Sequence, residues 1–295
     1  MKKYDVTGIG NALVDIEFKV SDQFFFDNHV EKGLMTLVDE NRQNALMKVI
    51  NTKEAKKQCG GSAANTVIAV GQFGGNAFYC CKVANDELGH FYLKDLNESG
   101  VDIALEEDRL ESGVTGKCLV MVTEDSERTM NTFLGITQNF SVRDIQDSAI
   151  KDSKYLFMEG YLVTSSNGKE AMMHAKRVAE ESGTKVALTF SDPAMVKYFK
   201  SNFDDIIGAS VDLLFANEEA ALFLCRKLYI WFIYYKITPE VEAGVIAPLA
   251  KLLRDSNYEV KPVLKALAYN KLQQPIGTLL QLNWWKSASS GGTDH

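Results

Sequence analysis

Cysteine is scarce in this sequence of 295 residues, and the few thiols have no spacing typical of a metal site. The chain has five cysteines, an odd number, and no two of them form a Cys-x-x-Cys pair. Neither a disulfide framework nor a structural zinc site is therefore expected, as in proteins of a reducing compartment.

Long apolar runs and an excess of positive charge are also missing. No uncharged stretch approaches the length that spans a bilayer, and the N-terminus MKKYDVTGIG leads into a strand-like pattern without an apolar signal segment. The formal net charge is −7, which gives no indication of a nucleic-acid partner. We therefore expect a cytoplasmic enzyme that binds neither nucleic acid nor a membrane.

The segment CGGSAANTVIAVGQFGG, residues 59–75, joins a glycine pair to an apolar helical run. Gly60 and Gly61 lack a Cβ, so the backbone can turn sharply and a ligand can approach it closely. Asn65 is expected at the opening of the helix, where its amide can donate and accept hydrogen bonds and nearby N–H groups favour oxygen-rich ligands. The alternative is a glycine-rich turn ahead of a packing helix.

A second turn of small residues, Gly8-Ile9-Gly10-Asn11, follows the first apolar strand and precedes Asp15. It lacks the third glycine and the helix opening of a dinucleotide fingerprint, which argues against NAD. Together with Asn65, the side chains of Asn11 and Asp15 suit a polyhydroxylated ligand.

Apolar strand patterns alternate with helical patterns along the chain, which predicts an α/β fold with a mainly parallel sheet flanked by helices. Strands are predicted at 4–9, 77–83, 154–158, 185–190 and 211–216, helices at 64–73, 91–99, 169–181 and 241–253, and a further short element at 260–267. Two insertions, at about 13–38 and 112–133, read as β segments without partner helices. Such strands are expected to pair with each other as a small lid over a cleft.

Seven segments in order resemble the PfkB-type carbohydrate kinases, a family with the ribokinase-like fold, and in particular its adenosine kinase branch. The segments are GIGNALVDI, GLMTLVDE, CGGSAANT, KVANDELGHFYLKDLNESGV, VTGKCLVMVTEDSERT, FMEGYL and SVDLLFANEEA. The resemblance covers about residues 1–225 as a core domain. It implies transfer of the γ-phosphate of ATP to a primary hydroxyl of a nucleoside or sugar.

The resemblance also implies roles for individual residues. Asp15 would grip ribose hydroxyls, with Asn11, Gly60, Gly61 and Asn65 completing the pocket. Three further residues lie in the lid and at a strand end. Arg128, in the lid, would reach the transferring phosphate. Tyr161 would line the pocket, and Glu159 would hold the substrate or orient the strand end.

The cofactors that the resemblance implies are ATP and Mg²⁺. Asn217 matches the first position of the family's Asn-x-x-Glu motif, which organises Mg²⁺ and phosphate through water. The fourth position here is Ala220, so Glu219 is displaced by one residue, which turns its side chain by about 100° on a helix.

Residues 226–295 depart from the family pattern. They lack the Gly-Ala-Gly-Asp segment whose amides form the anion hole and whose aspartate is the catalytic base in that family. The most similar segment, Gly291-Gly292-Thr293-Asp294, is not expected to replace it. This segment contains nine basic and five acidic residues, whereas residues 1–225 contain 23 basic and 34 acidic ones. All three tryptophans of the sequence lie in the segment. The run 228–235 is either an aggregation hazard or a buried strand. We expect a tail replaced by a reading-frame change or an alternative end.

Two functions remain open. The first is an ATP-dependent nucleoside or sugar kinase, with adenosine favoured because the pocket segments contain no basic cluster for a second phosphate. The second is a ribose or nucleoside binder without catalytic activity. A homodimer through the edge of the lid is open as well.

Overall fold

The computed structural model describes residues 2–50, 55–191, 193–208, 211–215, 222, 224–226, 228–230, 233–234, 236–256 and 260–273. The pattern of contacts between residues divides the chain into two compact units, Met1–Thr184 and Lys185–His295.

The first unit holds two sheets and the helices around them. Its strands are β1 Tyr4–Ile9, β2 Leu13–Lys19, β3 Met35–Leu37, β4 Lys56–Gly60, β5 Ala77–Cys80, β6 Val101–Ile103, β7 Gly116–Val122, β8 Arg128–Phe133 and β9 Ser153–Glu159. Its α-helices are α1 Asp22–Asp27, α2 Glu40–Val49, α3 Ser62–Gln72, α4 Glu87–Glu98, α5 Asp147–Lys151 and α6 Ser166–Ser182.

The main sheet of this unit is parallel, in the order β9-β1-β5-β6. Central strands of parallel sheets are covered on both faces, so they consist largely of apolar residues. Ile9, Leu156 and Met158 are accordingly fully buried. Helix α3 packs on β1 and β5, and α6 packs on β9. The predicted fold class, a mainly parallel sheet flanked by helices with a small β lid, is confirmed.

The second sheet of the unit is mixed, in the order β3-β8-β7-β2-β4. Strands β7 and β8 form an antiparallel hairpin, as the segment 112–133 predicts. Strand β2 lies between β7 and β4, parallel to the first and antiparallel to the second. We call this second sheet the lid.

The prediction that residues 13–38 contain only β segments is wrong. Helix α1 interrupts them because Ser21 caps it, accepting a hydrogen bond from the Phe24 amide, and because Phe25 is buried. Strand β4 and helix α2 were not predicted from the sequence. Strand β4 begins with Lys56-Lys57-Gln58, whose polar side chains are all exposed and show no apolar alternation.

Other predicted boundaries shift by a few residues. Helix α4 begins at Glu87, four residues before the predicted start, because the Asp86 carboxylate accepts a hydrogen bond from the Gly89 amide at 2.7 Å. Strand β5 ends at Cys80 although the apolar pattern continues to Val83. Helix α3 begins at Ser62, two residues earlier than predicted.

The second unit contains the parallel strands β10 Lys185–Thr189 and β11 Leu213–Phe215. Its described helices include α7 Pro193–Tyr198, α8 Lys200–Ile207, α9 Ala247–Asp255 and α10 Val260–Gln273. A helical stretch, Pro239–Val241 followed by the π-turn Glu242–Ile246, leads into α9.

The strand alternative for residues 228–235 is wrong for the part of that run that the structure describes. Residues 228–230 are helical, and Leu228 and Tyr229 are buried. Nearby, Arg226 forms a bidentate ion pair with Glu242, with nitrogen–oxygen distances of 2.6–3.1 Å. None of the described helices has the length and apolar content needed to cross a membrane.

Candidate active site

A cavity of about 280 Å³ lies in the first unit, between the ends of strands β1 and β9 and the lid. Its volume is near the lower end of the usual range for small-molecule sites. Ligand sites of parallel sheets are typically found at the carboxyl ends of the strands, and Asn11 and Glu159 mark those ends here. The lining residues are Asn11, Leu13, Asp15, Met35, Leu37, Gln58, Gly61, Ser62, Asn65, Cys118, Arg128, Met130, Thr132, Leu134, Glu159, Tyr161 and Thr164.

Asp15 contributes a half-buried carboxylate to the cavity from strand β2 of the lid. Burial raises the pKa of Asp15 to about 6, and the positive charge of Arg128 opposes that shift. Within the part of the chain that the structure describes, no group donates a hydrogen bond to this carboxylate. Its accepting capacity is therefore free for the hydroxyl groups of a ligand.

The glycine pair makes room for two of the polar residues. A Cβ on Gly60 would overlap the carboxylate of Asp15, and a Cβ on Gly61 would overlap the backbone carbonyl of Asn11. Gly61 also has φ +104° and ψ 135°, a conformation that is open essentially to glycine alone. Gly60 itself does not line the cavity, so its contribution is the space that it leaves for Asp15.

Asn65 lies in the first turn of α3, where its amide N–H makes the first backbone bond of the helix to the Gly61 carbonyl at 2.9 Å. Its side chain is exposed and faces the cavity. No residue that the structure describes forms a hydrogen bond with the Asn65 side chain. Like Asp15, it has open hydrogen-bonding capacity at the cavity wall.

Asn11 and Glu159, in contrast, are buried and bonded to each other. The Glu159 carboxylate accepts hydrogen bonds from the Asn11 side-chain amide at 2.8 Å, the Asn11 backbone N–H at 3.3 Å and the Ala63 backbone N–H at 2.9 Å. Burial raises the pKa of Glu159, and these donors offset part of the rise. The arrangement favours the second of the two sequence alternatives for Glu159, orientation of the surrounding backbone.

Arg128 is the first residue of strand β8, paired with Val122 at the turn end of the β7–β8 hairpin. Its side chain is exposed and lines the cavity. It is close enough to Asp15 for its charge to lower the pKa of that carboxyl. A cation and a carboxylate therefore face the same hollow.

Tyr161 follows Glu159 in a short 3₁₀ turn, Gly160–Thr164, and lines the cavity. The cavity thus brings together seven of the residues predicted from the sequence: Asn11, Asp15, Gly61, Asn65, Arg128, Glu159 and Tyr161.

Sequence reasoning missed the apolar wall of the cavity and one amide. The wall consists of Leu13, Met35, Leu37, Met130 and Leu134. The amide is Gln58, which stands opposite Asp15 in the antiparallel pairing of β2 with β4. The period of two along β8 was an available signal, because it places Arg128, Met130 and Thr132 on one face. Gln58 had no such signal, since β4 itself was not predicted.

The predicted cofactor residues Asn217 and Glu219 lie outside the described residues. Among the residues that are described, no group of three or more His, Cys, Asp or Glu side chains could hold a metal ion. All five cysteines are buried, and none forms a disulfide.

Comparison with known proteins places the cavity in a family context. The sequence profile of the pfkB family carbohydrate kinases matches residues 34–248, more than half of the chain. The chain belongs to the pfkB family. Its membership confirms the resemblance of the seven sequence segments, and most of the cavity-lining residues lie within the matched range.

Two solved kinase structures resemble this chain in both fold and sequence. The adenosine kinase from Sinorhizobium meliloti is 36% identical, with a TM-score of 0.71 and coverage of 78% of this chain and 71% of that one. A probable sugar kinase from Rhizobium etli CFN 42 is 35% identical, with a TM-score of 0.71 and coverage of 76% and 67%.

Curated relatives are more distant in sequence. The guanosine-inosine kinase of Escherichia coli K12 is 24% identical over 223 residues, which cover 73% of this chain and 51% of the relative. The chain spans about half the length of the curated relatives it matches.

Proposed function

We propose that this pfkB-family chain is an ATP-dependent kinase for the primary hydroxyl of a nucleoside that resembles adenosine. The observation that supports this most is the cavity that Asp15 and Asn65 share, because both side chains have unused hydrogen-bonding capacity there. A carboxylate acceptor and an amide suit the adjacent hydroxyls of a ribose.

The mixed lining of the cavity supports a nucleoside over a simple sugar. Asn11, Asp15 and Asn65 contribute polar groups to this lining, and Met35, Leu37, Met130 and Leu134 contribute apolar side chains. Apolar side chains favour the faces of a flat base, while a free sugar would leave them without a matching surface. The similarity to an adenosine kinase supports the same choice.

Arg128 is proposed to contact the phosphate that is transferred. Its guanidinium is always charged and lines the same cavity as Asp15, so it could offset negative charge that develops near the accepting hydroxyl. Tyr161 and Gly61 would complete the wall of the pocket.

ATP and Mg²⁺ are proposed as cofactors on the basis of family membership. Asn217 and Glu219 are proposed to hold the Mg²⁺ ion through water. The proposed location is the cytoplasm, and the proposed partner is a small molecule. A homodimer through the lid also remains a proposal. Part of one lid edge is already occupied, since the backbone of Cys59 and Gly60 in β4 bonds to Asp95 and Tyr92 of α4.

The second candidate function is a nucleoside or ribose binder without catalytic activity. One observation favours it: every residue that lines the cavity lies within the first unit. The sequence after that unit lacks the family's Gly-Ala-Gly-Asp segment, which would supply both the base and the anion hole. Loss of both groups should lower the rate by a factor on the order of 10⁴ or more.

Calorimetry beside a coupled assay for ADP distinguishes the two functions. The full chain is titrated with adenosine, guanosine and ribose, and ADP release is followed with each in the presence of ATP and Mg²⁺. Binding with turnover supports the kinase, and binding without turnover supports the binder. If none of the three compounds binds at millimolar concentration, both proposals are wrong.

A further inference from the structure

The N-terminus of helix α3 lacks a capping side chain of its own. Gly61 occupies the N-cap position and has no side-chain hydrogen bond to the helix. The first amides of a helix have no partner within the helix, so a buried start requires an acceptor from elsewhere. Glu159 provides that acceptor from strand β9, because its Oε2 accepts the Ala63 N–H at 2.9 Å.

The other oxygen of the same carboxylate binds the loop after β1. Glu159 Oε1 accepts both the backbone N–H and the side-chain amide of Asn11. Glu159 is 1% exposed and Asn11 is 5% exposed, so water does not compete for these bonds. Gly10 leaves the space for this contact, since a Cβ there would lie 2.7 Å from Glu159 Oε2 and 2.8 Å from the Ala63 Cβ.

We propose that Glu159 is a positioning residue that joins the loop bearing Asn11 to the helix bearing Asn65, and so sets the distance between the two amides. Asn65 lies two positions after Ala63 in the first turn of α3, so the bond to Ala63 orients it. The consequence for ligands rests on the proposed function, in which both amides hold the nucleoside.

The charge at this position fits the role. The N-terminal end of a helix carries partial positive charge, which stabilises a carboxylate placed on it. Glu159 accepts hydrogen bonds from three N–H groups, and the hydroxyl of Ser62 beside it also lowers its pKa, so these surroundings favour an acceptor-only side chain. Glutamine has nearly the same shape but turns one of its two acceptors into a donor, which would face an N–H of Asn11 or Ala63.

The experiment compares Glu159→Gln with a matched control, Asp86→Asn. Asp86 is also a carboxylate that accepts three hydrogen bonds, from the Gly89 N–H, the Thr115 N–H and the Thr115 hydroxyl, and it also caps a helix. It does not line the cavity. Thermal denaturation of both variants measures the structural cost, and calorimetry with adenosine measures the functional one.

We expect both variants to lose thermal stability, whereas only Glu159→Gln binds adenosine at least 10-fold more weakly than the unmodified chain. In combination with Asn65→Ala, the two losses of affinity should not multiply, because Glu159 acts through the position of Asn65. Equal affinity of Glu159→Gln and Asp86→Asn, or fully multiplicative losses, would overturn the proposal.

A second measurement needs no ligand. Amide hydrogen exchange followed by NMR should show faster exchange at both Asn11 and Ala63 in Glu159→Ala, which removes both acceptor oxygens, and at neither in Asp86→Ala. Faster exchange at only one of the two amides would refute the bridge. If the unmodified chain binds no adenosine, the proposed function is wrong, while the exchange experiment still decides whether Glu159 joins the two segments.

Discussion

The floor of the cavity and its lid differ in how their polar groups are used. On the floor, Asn11, Ala63 and Glu159 satisfy one another through buried hydrogen bonds. On the lid, Asp15 and Arg128 face the hollow, and Asp15 receives no hydrogen bond from the described residues. Bonds of the first kind stabilise the fold, whereas open capacity of the second kind is useful only when a ligand is present. Mutations should therefore separate stability from binding.

The largest effect is expected on the floor, from Gly61→Ala. The alanine would have to adopt a φ of +104°, and its Cβ would overlap the Asn11 carbonyl. The variant should therefore lose about 3 kcal/mol of unfolding free energy. Urea denaturation measures the loss. Gly183→Ala is a suitable control, since Gly183 has φ +67° but nothing within 4 Å of its added Cβ. A loss no larger than that of the control would contradict the overlap.

Asp15→Asn should produce the largest change in binding. Its carboxylate would accept hydrogen bonds from ligand hydroxyls, and loss of such charge-assisted bonds should weaken adenosine binding about 100-fold. Calorimetry measures the affinity. Glu17→Gln, on the same strand, is the control and should bind normally, because Glu17 does not line the cavity. Unchanged affinity in Asp15→Asn would remove the basis of the proposed pocket.

Asp15→Asn should also increase the free energy of unfolding, by an amount that depends on pH. Because the pKa of Asp15 is raised from 3.8 to about 6, the neutral carboxyl is favoured in the folded state, and stability is lost as the pH rises between these values. Above pH 6, Asp15→Asn should exceed the unmodified chain by about 1–2 kcal/mol, allowing for partial exposure. Below a pH of about 4 the two should coincide. Denaturation curves at several pH values test this, and a variant less stable at neutral pH would contradict it.

Asn65→Ala is expected to have the smallest effect. Its exposed side chain makes no hydrogen bond to a described residue, so the unfolding free energy should change by less than about 0.5 kcal/mol. Adenosine affinity should nevertheless fall about 10-fold through the loss of ligand bonds. Asn97→Ala, on the outside of α4, serves as the control for stability. A large loss of stability without loss of affinity would reverse the assignment of Asn65 to ligand contact.

Local patterns in the sequence determined much of this protein. The alternation of apolar strands and helices predicted the parallel sheet, the hairpin at 112–133 predicted β7 and β8, and the glycine pair with Asn65 predicted the start of α3. These features depend on the period of a strand or helix and on the conformations open to glycine, which neighbouring residues determine.

Only the tertiary structure decided which distant residues meet. The pairing of β2 with β4 sets Gln58 opposite Asp15, and the parallel arrangement of β1 and β9 brings Glu159 to Asn11 and to the N-terminus of α3. These contacts depend on strand register between segments far apart in the chain, which local periodicity does not specify. For the same reason, the sequence by itself could name Asp15, Asn65 and Glu159 as candidates but could not distinguish the residue that positions from those left open to a ligand.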